Sequence, residues 1–146
     1  MIRDVLRRYR LNRRNAILAL RALASRTHHE EVRKQALEVA EELCGPLVLD
    51  LRQQLEAAQK PPDIERLIGE IKETAKFVRG TKYEAEVARI KAAALDRLNT
   101  SIGEVETQVR QLVKKGKFKA AREALSRLYG VEQAQTTVKE LTALIR

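Results

Sequence analysis

The chain contains no tryptophan, one cysteine and two histidines, and each shortage removes a class of chemistry. A single thiol, Cys44, excludes a disulfide framework within the chain, and together with His28 and His29 it falls short of a Cys/His metal cage. Adjacent residues on a helix face different directions, so His28 and His29 cannot clasp one ion and are expected to cap a helix start. Cys44, ahead of Gly45-Pro46, is expected to be a half-buried structural thiol. No glycine loop leads into Lys-Ser or Lys-Thr after a strand, no Gly-x-Ser-x-Gly elbow occurs, and the carboxylates fall on polar helix faces. Neither an enzyme nor a cofactor is therefore expected. No run approaches the roughly 18 apolar residues of a membrane span, and no apolar signal core precedes a small-residue cleavage site, so a soluble, cytoplasmic chain without a membrane span is expected. An Arg-rich, acid-poor N-terminus also looks like a mitochondrial presequence, against which stand Asp4 and the lack of early Ser.

Proline (three) and glycine (six) are scarce as well, and strands have no period-two alternation to build on. Apolar residues recur instead at spacings of three and four, the pattern of amphipathic helices. With 44% hydrophobic residues over 146 positions, one core closes without a staple, and one all-α domain spanning residues 1–146 is expected.

Three Ser/Thr-x-x-Glu boxes predict helix starts: Thr27 with Glu30, Thr81 with Glu84, and Ser101 with Glu104. Gly45-Pro46, Pro61-Pro62, Gly80, Gly116 and Gly130 predict stops. Seven or eight helices follow, covering about Ile2 to Ala24, His28 to Leu43, Pro46 to Ala58, Ile64 to Arg79, Lys82 to Lys115 as one helix or two, Lys117 to Tyr129, and Val131 to Ile145. Short links favour antiparallel neighbours, in a bundle or a short helical-repeat solenoid. An uninterrupted Lys82 to Lys115 arm would also make a homo-oligomer plausible.

The formal charge of +9 is concentrated in two blocks. Residues 1–26 carry eight Arg, no Lys and one Asp, and residues 110–122 carry six Lys or Arg and no acid, while residues 27–109 are net acidic. On a continuous helix Arg3, Arg7, Arg10, Arg14 and Arg21 fall within about 60° of one another, a ladder roughly 27 Å long at 1.5 Å per residue. Arg13 would then point into the apolar face, and Asn12 and Asn15 allow a break between Leu11 and Asn15. Guanidinium groups in a row suit carboxylates or phosphates, because each forks into paired donors and stays charged. Alternatively the ladder is a solvated flank whose arginines pair with Glu38, Glu41 and Glu42. The second block, Arg110, Lys114, Lys115, Lys117, Lys119 and Arg122, surrounds Gly116. Its candidate anion-binding residues are Lys114, Lys115, Lys117 and Lys119, although Lys114 and Lys115 would also offset a helix dipole.

Tyr9, Phe77, Tyr83, Phe118 and Tyr129 occupy apolar phases and are expected in the core. With no exposed aromatic platform, stacking of single-stranded bases is not expected, and nucleic-acid contact would be to duplex DNA or structured RNA through phosphates. The expected role is thus a non-enzymatic interaction module presenting a basic Arg face to an acidic protein surface, with nucleic-acid binding as the alternative.

Two hairpins carry family resemblances. Leu18 to Leu43, with an acidic residue, Val32-Arg33 and Ala36 opening its second helix, resembles a HEAT-type hairpin. Leu112 to Leu128, with Gly116 in the turn followed by Phe118, Ala121, Leu125 and Leu128, resembles a single tetratricopeptide hairpin, although the preceding helix lacks that family's Trp and Leu-Gly pair. Either resemblance implies a scaffold that binds other macromolecules on a helix face.

Overall fold

A computed structural model describes residues 1–10 and 12–146. Among the described residues the chain is all-α. Its seven helices are α1 (Ile2–Arg8), α2 (Arg13–Arg26), α3 (Glu30–Ala57), α4 (Pro61–Val78), α5 (Glu84–Lys114), α6 (Phe118–Leu125) and α7 (Gln135–Ile145), and short 3-10 turns cover Ser126–Leu128 and Glu132–Ala134. No helix is long and apolar enough to cross a membrane among these residues.

The expected first helix is two. Asn12 adopts an extended backbone and its Oδ1 accepts the Asn15 N–H at 3.1 Å, so α2 begins on a strong N-cap. Leu11, where the predicted break opens, lies outside the described residues. Because α2 restarts at Arg13, that residue is exposed and does not enter the core.

Gly45-Pro46 does not end a helix, and this corrects the two helices expected over His28 to Leu43 and Pro46 to Ala58. α3 runs through both residues. Ala36, Ala40, Cys44, Val48 and Leu51 form one unbroken buried stripe across the pair. An interior proline costs a helix about 3 kcal/mol, whereas burying Val48 and Leu51 contributes about 1.5–3 kcal/mol each, so the stripe outweighs the missing donor. Gly45 has its own reason. A Cβ there would lie 2.9 Å from the Tyr83 hydroxyl, so the glycine makes room for that ring.

α5 is a single helix of 31 residues. Its stripe of Ala94, Leu98, Ile102, Val105 and Val109 is buried without a phase slip, so Ser101 and Glu104 sit inside the helix and form no capping box. The box at Thr81 is shifted by one residue, with Glu84 Oε2 accepting the Gly80 N–H at 3.0 Å and Thr81 Oγ1 accepting the Tyr83 N–H at 3.2 Å. Thr27 Oγ1 accepts the His29 N–H at 3.2 Å, while Glu30 lies 3.7 Å from Arg33 instead of reaching back. At α4, Pro61 occupies the first helical position, where its missing N–H costs nothing.

The chain groups into two compact units. The first comprises Met1–Gln53 and Glu70–Ile90, the second Gln54–Gly69 and Lys91–Arg146. In the first, Ile17, Leu20, Val48, Ile71, Val78 and Val87 are the large fully buried side chains. In the second, Ile64, Leu98, Val109, Leu125, Leu128 and Leu141 take that role. Glu65 secures the end of the second unit's chain, accepting the backbone N–H groups of Glu132 and Gln133 at 3.0 and 3.3 Å.

Candidate functional site

Helix ends leave carbonyls without intrahelical partners, and a buried end must find donors for them. In the first unit Arg33 supplies them to α2, its Nε donating to the Ala24 carbonyl and its Nη2 to that of Thr27, both at 3.1 Å. Arg21 likewise donates Nη2 to the Phe77 carbonyl at the end of α4. Within the second unit Arg97 donates Nη1 to the carbonyls of Leu55 and Ala58 at the end of α3. A positive fork at the negative end of a helix dipole combines two favourable terms, so part of the arginine excess is structural. Nothing in the sequence spacing marks these three residues, because each acts on a helix distant in sequence or on the end of a preceding one.

This accounting changes the predicted ladder. The break at Asn12 divides it, and α2 draws Arg14 and Arg21 inward toward Phe77. Arg21 holds that residue's carbonyl, and the Arg14 guanidinium stands over its ring at 5.7 Å. The five arginines therefore do not form one continuous row available to a partner. Arg3 and Arg7 on α1, Arg10 in the link and Arg13 on α2 are exposed, and no ion pair or hydrogen bond engages their side chains among the described residues. Asp4, the acid of this block, lies 3.8 Å from the chain's amino terminus. Among the described residues Glu38, Glu41 and Glu42 form no ion pair with the N-terminal arginines, and Glu41 instead accepts the Lys82 N–H at 3.2 Å. α1 has no buried residue, and Leu18 on α2 is 52% exposed, so apolar surface accompanies the free guanidiniums.

The second basic block is built by the turn after α5. Gly116 has a φ of +72°, its N–H bonds the Val113 carbonyl at 3.0 Å, and the Lys117 N–H bonds that of Leu112 at 2.9 Å. These are the paired bonds of a Schellman turn, and only glycine adopts the left-handed conformation there without strain. The turn reverses the chain within three residues and leaves Lys114, Lys115, Lys117, Lys119 and Arg122 exposed, with no internal partner for their side chains among the described residues. Arg110 differs, being held by Glu106 at 3.0 Å.

The sequence places five aromatic residues in the core, but Tyr9, Phe77 and Tyr83 are only half-buried and the other two lie outside it. Phe118 is 43% exposed and Tyr129 55% exposed, so neither belongs to the core. α6 turns Ala121, Ala124 and Leu125 inward, and Phe118, three residues before Ala121 at the helix start, lies at the edge of that face. Tyr129 falls just past the helical turn ending at Leu128, where periodicity no longer assigns a face.

Cys44 is fully buried, deeper than expected, and its Sγ lies 3.4 Å from the Ala40 carbonyl. Burial pushes the thiol above its ordinary pKa, with Arg21 acting in the opposite direction. His28 and His29 are exposed, and no cluster of metal-ligating side chains occurs among the described residues. A groove of about 670 Å³ within the second unit gathers Glu104, Gln108 and Arg127 beside Pro61 and Pro62, with neither His nor Cys in its lining. Comparison of the chain with protein-family models, with curated proteins and with solved structures returns no match.

Proposed function

We propose that this chain is a non-enzymatic helical interaction module whose N-terminal helices dock an acidic protein surface. The observation that carries the reading is the set of exposed guanidiniums at Arg3, Arg7, Arg10 and Arg13, unengaged by acids among the described residues and interleaved with half-exposed apolar residues. Arginine with apolar neighbours is the composition of protein interfaces, where lysine is depleted, and this block holds no lysine. The guanidinium fork fits a carboxylate with two parallel hydrogen bonds, and surface charge of one sign raises the rate of encounter. The two hairpins that resemble HEAT and tetratricopeptide units support a scaffold role of the same kind.

The test is binding of a labelled polyglutamate peptide, followed by fluorescence anisotropy. Replacing Arg3, Arg7, Arg10 and Arg13 together by Glu is expected to weaken binding by at least about tenfold while leaving the helical circular dichroism intact. Unchanged binding by the folded variant would remove the proposal. Arg14 is left in place in this variant, because its contact with Phe77 makes it part of the fold.

A further inference from the structure

The turn between α5 and α6 combines two features. Five cations, Lys114, Lys115, Lys117, Lys119 and Arg122, are exposed within nine residues, and Phe118 lies among them with about two fifths of its surface in solvent. Phe118 and Arg122 are four residues apart on α6 and therefore share a face. An open depression of about 580 Å³, lined by Gly116, Lys117, Phe118, Lys119, Ala120 and Glu123, adjoins the ring. Gly116 and Ala120 add little side-chain bulk to its lining, and Glu123 is the one carboxylate among these lining residues.

Phenylalanine has no polar tip, so its exposure in a field of ammonium groups calls for an occupant that is flat and apolar at one point and anionic around it. We propose that this turn binds single-stranded nucleic acid, one base stacking on Phe118 in the depression and the flanking phosphates meeting the four lysines and Arg122. Stacking is not expected from the sequence, in which the aromatics mostly occupy apolar helix phases, and the exposure of Phe118 removes that ground. Other anionic partners fit less well. A duplex hides its base faces. An acidic peptide answers the lysines but leaves the ring uncovered. A membrane surface rewards buried apolar area, and this patch offers one ring more than half covered by its own chain. The site is separate from the arginines of the proposed function and stands or falls independently of them.

The chain's lack of tryptophan makes Phe118→Trp a single fluorescent reporter in the full-length protein. Titration with an oligothymidylate of about 15 nucleotides is expected to quench its emission, as stacking requires. By anisotropy of the labelled oligonucleotide, Phe118→Ala is expected to weaken binding roughly tenfold, and Tyr129→Ala, exposed but outside the cation cluster, to leave it unchanged. If all five cations meet phosphates, the slope of log affinity against log salt should lie near −3.5, about a hundredfold loss between 50 and 200 mM salt. The Arg3, Arg7, Arg10 and Arg13 reversal is expected to leave this binding intact. The proposal is overturned by absence of binding at 50 mM salt, by a duplex of equal length binding as tightly, or by no effect of Phe118→Ala. An equal loss with Tyr129→Ala, or emission that shifts on phosphatidylserine vesicles but not with the oligonucleotide, overturns it as well.

Discussion

The two basic blocks of this protein differ in what the fold has done with them. In the first unit Arg14 and Arg21 are drawn to Phe77 and Arg33 to the end of α2, so arginines close helix ends while others stay outside. In the second unit Arg97 closes the end of α3, but the four lysines around Gly116 reach no internal partner among the described residues. The difference follows from the head groups. A guanidinium is weakly hydrated and presents a planar fork that can bridge two carbonyls, whereas an ammonium is a strongly hydrated point charge that favours water or a phosphate. Counting positive charge therefore overstates the binding surface of the arginine block and describes the lysine block fairly.

Stability measurements distinguish the two kinds of cation. Arg21→Ala leaves the part-buried Phe77 carbonyl at the end of α4 without its charged donor and is expected to cost about 2 kcal/mol in urea unfolding. The same change at Arg33 or Arg97, whose bonds are wholly or partly exposed to solvent, is expected to cost about 1 kcal/mol. Lysine at position 21 should restore less than half of the loss, because the ammonium lacks the fork. Smaller still, Lys117→Ala or Arg3→Ala should stay within about 0.5 kcal/mol of the parent. A Lys117→Ala loss equal to that of Arg21→Ala would erase the distinction between the blocks.

The smallest expected effect concerns Cys44. Its pKa is raised in the folded state, so folding favours the protonated thiol. That contribution is complete below the thiol's ordinary value of 9.0 and is lost as pH climbs through the raised folded value. Folded protein at pH 8 should thus resist thiol-directed alkylation, and reactivity should appear with the urea transition. Rapid labelling of the native protein would contradict the burial of Cys44.

Much of the helical architecture was legible. The stripe Ile64, Leu67, Ile68 and Ile71 placed α4, and Gly80, Gly116 and Gly130 all adopt the positive φ that a stop signal implies. Gly45-Pro46 misled because its local cost is real, while the competing stripe of Ala36, Ala40, Cys44, Val48 and Leu51 spans both sides of it. That stripe was present in the sequence and could have been followed through the pair. Ser101 and Glu104 misled for the same reason, since a capping box acts only where the backbone leaves the helix, and the buried phase of α5 never does. Phe118 and Tyr129 sit at the margins of periodic segments, where phase no longer separates core from surface. Of the cations that the sequence offers as anion-binding candidates, Arg3, Arg7, Arg10, Lys114, Lys115, Lys117 and Lys119 are exposed, whereas Arg14 and Arg21 are half-buried beside Phe77.

By itself, the sequence determined the helical class, the left-handed glycine stops and the clustering of charge, because these rest on local conformational preference and on the 3.6-residue period. Packing between helices settles which cations stay exposed and which aromatic ring stays in water. Those outcomes depend on where the end of one helix meets the side chain of another, and in the case of Arg21 and Phe77 the two lie 56 residues apart along the chain.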